Sequence, residues 1–154
     1  MILTKKQKSS VTRSERLTEL AEFRYRLRRF LGFSEMAAEE AGISAQQYQL
    51  LQVVATIPED RGCSISYIAE RMLLRHNSAV ELVDRAARSN LVRRVADEAD
   101  HRRSLVELTE RGNRLLVTLA EAHLREIDEE GAELLRALQQ LVGNRQAGKR
   151  NGTR

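Results

Sequence analysis

Apolar residues change their period several times along the chain, and each change predicts an element. From Ser14, a residue suited to cap a helix, Leu17, Leu20, Phe23, Leu27, Phe30 and Leu31 recur at helical spacings and predict a first helix running to Ala41, stopped by Gly42. Ser44 predicts the start of a second helix, "AQQYQLLQVVATI", which Pro58 ends because proline has no backbone N–H and restricts the residue before it. "PEDRG" reads as a loop, after which Ser64 or Ser66 opens a short third helix holding Ile68, Ala69 and Met72.

The next helix, about His76 to Ser89, places Ala79, Leu82, Val83 and Ala86 in one narrow apolar stripe and shows Asn77, Glu81, Asp84 and Arg88 on the opposite side. Asn90 stands where a left-handed residue commonly ends a helix. "LVRRV" then predicts a strand, "ADEADHR" a turn and "RSLVELT" a second strand, with Val106 and Leu108 facing one way and Leu105 and Glu107 the other. These make a β-hairpin with a long charged tip. Thr109, with Glu110 in the first turn, predicts a long helix carrying Leu115, Leu116, Leu119 and Ile127. Gly131 is expected to separate it from a final helix with Leu134, Leu135, Leu138, Leu141 and Val142 on one face. That face and the first helix together offer more apolar surface than a small lobe can bury, which implies a partner chain.

Composition narrows the picture without redrawing it. The 154 residues are 42% hydrophobic, about one domain with a real core, and one proline with no tryptophan in an Ala-, Leu-, Arg- and Glu-rich chain favours helix. Residues 14–145 are read as one unit between a mobile basic arm, 1–13, with Lys5, Lys6 and Lys8, and a mobile basic tail, 146–154. A net charge of +4 suits a phosphate backbone only if the charge is gathered into a patch. Cys63 is the one cysteine, so no intrachain disulfide and no thiolate metal cage can form, and a reducing, cytoplasmic setting is expected. No apolar run approaches the roughly 18 residues of a membrane span, and "MILTKKQKSS" lacks the apolar centre of a signal peptide, so no membrane partner is expected.

Catalysis finds little support. His76, His101 and His123 fall on separate elements, and there is no His-x-x-x-His spacing, glycine-rich phosphate loop or nucleophile elbow. The expectation is a protein that is not an enzyme and holds no cofactor or metal. Cys63, in an apolar-leaning stretch, reads as a structural thiol with peroxide sensing as its alternative.

Helix, short helix, exposed polar helix and hairpin, in that order, describe a winged helix-turn-helix: a mainly α protein with a small β wing (α+β). Two helices form a platform that grips a third by its apolar stripe, leaving its polar face free to enter a DNA major groove. The segment "SISYIAERMLLRHNSAVELVDRAARSNLVRR" followed by "DEADHRRSLVELTERG" resembles the MarR family of dimeric bacterial regulators, most specifically through "LVDR", the Asp-x-Arg at Asp100 and Arg102, and "LTERG" together. Asn90 replaces a glycine usual in that family, and Glu98 a frequent proline.

The resemblance implies a DNA-binding lobe at about 44–109, joined to dimerisation helices at about 14–41 and 110–145. It further implies a homodimeric repressor of double-stranded DNA at a pseudo-palindromic operator. Its recognition helix begins at Arg75–Glu81, and Arg102 is its wing arginine. The chemistry of these residues agrees. Asn77 can read an adenine edge bidentately, and His76 and Ser78 can bond base edges or phosphates at a helix N-terminus. Arg88, Arg93, Arg94 and Arg103 are assigned to phosphate contacts or wing packing. Glu81 and Asp84 would be repelled by phosphate, and Asp84 is expected to pair with Arg88 one turn on. Asp100 is expected to order the wing tip so that Arg102 can enter a narrow minor groove. The resemblance also implies a small phenolic or anionic effector, for which Phe23, Tyr25, Arg26, Tyr48, Leu51 and Met72 are the candidate crevice residues. The competing reading is a helical protein-interaction adaptor or antirepressor without DNA binding.

Overall fold

The computed structural model describes the backbone of residues 5–59, 61–100 and 102–150 and the side chains of 13–59, 61–100 and 102–143. The order is α1 (Lys5–Glu40), α2 (Ala45–Ala55), α3 (Ile65–Arg71), α4 (His76–Arg88), β1 (Val92–Ala96), β2 (Ser104–Leu108) and α5 (Glu110–Arg150). The chain divides into two compact units, Met1–Phe33 with Leu124–Arg154, and Ser34–His123.

In the unit Ser34–His123 local signals start and stop the helices where the pattern places them. Ser44 and Gln47 form a reciprocal capping box on α2: Gln47 N–H donates to Ser44 Oγ (3.1 Å), and Ser44 N–H donates to Gln47 Oε1 (2.9 Å). Ser64, not Ser66, caps α3, accepting the N–H of Tyr67 at 3.2 Å. The stripe Ala79, Leu82, Val83 and Ala86 is buried in a core that includes Tyr48, Leu50, Leu51, Ile68, Leu91 and Val106. Asn90 takes a φ of +55° and turns the chain from α4 toward β1. The hairpin is antiparallel, in register from Val92↔Leu108 to Ala96↔Ser104. The loop before α3 also joins the wing. Ser64 bridges to Leu105, and Val106 N–H donates to Cys63 O at 2.9 Å, so the far side of β2 is paired as well.

The turn between α3 and α4 holds a leucine in an unusual state. Leu73 has a φ of +55° and is 94% exposed, so it accepts left-handed backbone while burying almost nothing. That backbone costs a residue with a Cβ roughly 1–2 kcal/mol, of which glycine gives back about 0.5–1 through its freer unfolded chain. Leu73→Gly is therefore expected to stabilise the protein by about 0.5–1 kcal/mol and raise its thermal midpoint by about 2–3 °C. A midpoint that stays put or falls would show that the turn stores no strain.

The unit of Met1–Phe33 with Leu124–Arg154 pairs the first part of α1 with the last part of α5. Arg26 lies 2.7 Å from Glu22 on its own helix and 3.8 Å from Glu133, and Arg29 lies 3.3 Å from Glu130. Beside them Phe30, Ile127, Leu134, Leu135 and Leu138 line an apolar groove. Leu17, Leu135 and Val142 remain more than half exposed, so much of the apolar face of this unit is uncovered in a single chain.

Three boundaries differ from the pattern. Helix α1 begins at Lys5, so the expected arm is helical from there and Ser14 lies inside the helix. Lys, Gln, Arg and Glu are good helix formers, and a serine among them does not oblige a start. Helix α5 runs unbroken through Gly131, because one glycine costs only about 1 kcal/mol relative to alanine and no proline or cap follows it. The same helix continues to Arg150, which makes most of the expected tail helical. Met1–Thr4 and residues 151–154 lie outside the described residues.

Candidate nucleic-acid interface

The N-terminus of α4 is built differently from those of α2 and α3. Its N-cap is Arg75, whose side chain makes no capping hydrogen bond, and the first bond closing the helix runs from Ala79 N–H to Arg75 O at 3.0 Å. The N–H groups of His76, Asn77 and Ser78 thus precede the helical ladder and carry the positive end of the helix dipole. Arg75, His76, Asn77, Ser78, Glu81 and Arg88 are all exposed, while Ala79, Leu82, Val83 and Ala86 are at most 1% exposed. A rod gripped along one side with its polar side turned outward is the arrangement a groove reader requires.

Ion pairing on this face departs from the expected pattern. Asp84 does not pair with Arg88; its Oδ1 accepts from Arg94 at 2.8 Å. An i, i+4 partner lies within reach on any helix, but β1 delivers a guanidinium closer. Arg88 makes no ion pair with a described residue. Glu81 lies 4.0 Å from Arg85, an exposed arginine one helical turn on, whose i, i+4 spacing from Glu81 is its only signal in the sequence.

The four wing arginines separate into two kinds. Arg93 donates from Nε (3.1 Å) and from its terminal nitrogen (2.8 Å) to Glu107, its cross-strand partner in the ladder, and Arg94 is held by Asp84. Arg103 reaches only 4.0 Å from Asp97, and Arg102 is exposed with no ion pair among the described residues. Carboxylates shape the backbone around Arg102. Asp100 Oδ1 accepts the N–H of Arg102 (3.0 Å) and Asp97 Oδ1 that of Ala99 (2.9 Å). Arg103 N–H donates to Asp100 O at 2.8 Å. These bonds fold the tip while leaving the guanidinium of Arg102 to solvent. His101 lies outside the described residues.

The candidate effector residues fall in different settings. Tyr48 and Leu51 are core side chains, 2% and 0% exposed, and the Tyr48 ring lies 4.7 Å from that of His123. The Tyr48 hydroxyl is buried near Gln52 without a hydrogen bond of normal geometry, and burial pushes its pKa up. Met72 ends α3, half-buried against the same core. Phe23, Tyr25 and Arg26 lie on α1 in the other unit; Tyr25 is 47% exposed, and Arg26 is drawn to Glu22 and Glu133. Among the described residues no cluster of three or more His, Cys, Asp and Glu could hold a metal ion. Cys63 is buried, and burial pushes its thiol up to about 11, so at neutral pH it is neither thiolate nor nucleophile.

A family model described as MarR family matches residues 41–103. The chain is similar in structure to AbsC, a MarR family transcriptional regulator from Streptomyces coelicolor, with a TM-score of 0.63 and 20% identity over 97% of this chain and 98% of that one. It is similar to MepR, a transcription regulator of the multidrug efflux pump MepA of Staphylococcus aureus, with a TM-score of 0.67 and 18% identity over 79% of this chain and 94% of that one. A mutant of MepR bound to an oligodeoxyribonucleotide gives a TM-score of 0.62 at 20% identity, with the same coverage of both chains. No curated protein matches the sequence significantly. At these identities the structural likeness shows the fold, a mainly helical chain with a two-stranded wing.

Proposed function

We propose that this chain, whose residues 41–103 match a MarR family model, is a sequence-specific double-stranded DNA-binding transcriptional regulator. It acts in the cytoplasm as a homodimeric repressor that a small effector releases from its operator. The observation that carries this reading is the exposed, uncapped first turn of α4, gripped from behind by its apolar stripe, together with a wing whose Arg102 has no ion-pair partner among the described residues.

In this reading α4 enters a major groove, where Asn77 offers a donor and an acceptor to an adenine edge and His76 and Ser78 bond neighbouring edges or phosphates. Arg102 enters the adjacent minor groove. Arg75, Arg88 and Arg103 meet phosphates and set affinity rather than sequence preference. Arg93 and Arg94, held by Glu107 and Asp84, stiffen the wing and fix it against α4. The uncovered apolar face of the unit Met1–Phe33 with Leu124–Arg154 supports association of two chains, and a dimer on a pseudo-palindrome would need its two recognition helices roughly 34 Å apart. A phenolic or anionic effector would bind the DNA-free spacing more tightly than the bound one, since only a differential affinity can shift the equilibrium. Phe23, Tyr25 and Arg26 of α1 are its candidate contacts; Tyr48, Leu51 and Met72 lie in or against the core of the other unit. No described helix is long and apolar enough to cross a membrane.

The test is selection of duplexes from a random library by the full chain, with its mass measured by sedimentation. The expected result is a dimer that enriches a pseudo-palindrome with half-site centres about 10 bp apart and binds it with a steep salt dependence, log Kd changing by roughly 0.9 per phosphate contact on a log-salt scale. A monomer that enriches no sequence even in dilute salt would overturn the proposal.

A further inference from the structure

A hollow of about 390 Å³ lies between the start of α3 and the root of the wing, lined by Arg61, Ser64, Ser66, Tyr67, Glu70 and Arg103 among others. We propose that it is a seat for one phosphate group, with Arg61 and Arg103 as its charged arms. The fold, rather than sequence proximity, brings the two arginines together. The Ser64–Leu105 bridge and the Val106 N–H bond to Cys63 O tie the lead-in of α3 to β2, so Arg61 comes to rest opposite the residue that precedes β2.

Both guanidinium groups keep donors to spare. Arg61 lies over the ring of Tyr67, 5.9 Å from its centre, and makes no ion pair with a described carboxylate. Arg103 has only Asp97 at 4.0 Å, the outer limit of an ion pair. Ser64 Oγ accepts the N–H of Tyr67, so its own hydrogen remains to be donated, and Ser66 and Tyr67 add two neutral O–H donors. Planar guanidinium forks with hydroxyls beside them match the oxygens of a phosphate, which accepts from several directions at once. Glu70 opposes the anion. With two arginines against one carboxylate the lining stays net positive, and Glu70 acts as a brake on affinity.

Phosphate can reach this hollow from two sources. In a helix-turn-helix the helix before the recognition helix crosses the DNA backbone, which favours a phosphodiester of the duplex. The other source is free phosphate or a small phosphorylated molecule. The duplex arm rests on the regulator reading above; the free-anion arm does not. The seat adds Arg61, Ser66 and Tyr67 to the residues that meet the ligand, and it supplies affinity without sequence preference.

The experiment uses the full chain, a 30-bp duplex of random sequence, and inorganic phosphate. Arg61→Ala, Arg61→Ala with Arg103→Ala, Tyr67→Phe and Glu70→Gln are compared with the parent. Duplex affinity is measured by fluorescence anisotropy over a range of salt, and thermal midpoint is measured with phosphate against chloride of equal ionic strength. If the source is DNA, Arg61→Ala weakens duplex binding by roughly tenfold and lowers the salt slope by about 0.9, Tyr67→Phe weakens it less, and Glu70→Gln tightens it. If the source is a free anion, duplex binding is unchanged, or absent in the parent as well. In that case the parent gains a phosphate-specific rise in midpoint that Arg61→Ala loses and Glu70→Gln enlarges. Arg61→Ala that leaves the duplex affinity, the salt slope and the response to phosphate as in the parent, or a parent that responds to neither probe, overturns the seat. A parent that binds no duplex but keeps its phosphate response separates failure of the regulator reading from failure of this one.

Discussion

Replacing Gly112 with alanine is expected to destabilise the unit Ser34–His123 by about 3 kcal/mol or more. An added Cβ would stand 2.0 Å from the backbone oxygen of Leu91, 2.9 Å from its carbonyl carbon and 3.3 Å from Cδ2 of Leu51. A flexible side chain could yield to such an intrusion, but here the obstacle is backbone tied from several sides. Leu91 O accepts the N–H of Thr109 at 3.1 Å, and Leu91 N–H donates to Ala86 O at 2.9 Å. Thr109 Oγ1 donates to Asn90 O (2.6 Å) and accepts the N–H of Gly112 itself (3.0 Å), and Arg111 reaches Ser89 O. Leu91 and Leu51 are fully buried, so moving the start of α5 outward would open the core as well. Urea titration of the variant should show a large drop in midpoint or no folded baseline. A loss under about 1 kcal/mol would mean that the junction of α4, β1 and α5 can slide, contrary to this account.

Arg102→Ala is expected to weaken binding to a selected operator duplex by at least tenfold, a loss of about 1.4 kcal/mol or more, with folding stability unchanged. The two halves of this prediction come from one observation: Arg102 is exposed and pairs with no described residue, so its removal leaves no buried charge behind. Arg94→Ala offers the contrast. It strands Asp84 on α4, and its effect on binding would come with a loosened wing. Anisotropy titration at moderate salt, with thermal unfolding alongside, decides the matter. Equal affinity of parent and Arg102→Ala would remove the wing from the interface.

Much of the site could be read from residues in order. The stripe of α4 announces its buried side because four small or branched apolar residues repeat at three and four, and the same repeat leaves Asn77, Glu81, Asp84 and Arg88 on the opposite side. Ser44 announces one helix start, and Ser64 or Ser66 another, because a serine hydroxyl can take up a free N–H group; the structure selects Ser64. Asn90 announces a reversal because its short amide tolerates left-handed backbone. Asp100 two residues before Arg102 is a local turn chemistry, and its oxygen is found on the Arg102 N–H. Each signal acts within about one helical turn or one hairpin, so chain order suffices to display it.

Partner choice across the fold could not be read this way. Asp84 had Arg88 on its own helix and took Arg94 from the strand, because β1 brings that guanidinium to hydrogen-bond distance. Arg61 looked like loop and shares a hollow with Arg103 because the lead-in of α3 pairs with β2. Gly112 read as one letter of a motif, and the need for a missing side chain appears only where α5 meets the carbonyl of Leu91. Helix α5 passed Gly131 without a break, since a propensity penalty of about 1 kcal/mol decides nothing in a long helix with no cap to end it. By itself, the order of residues determined the elements from α2 to β2 and the outward face of α4, through interactions between near neighbours in the chain. Which charges are neutralised, which are left for a ligand, and where backbone touches backbone were settled by tertiary structure, because those energies depend on distances between residues that only folding brings together.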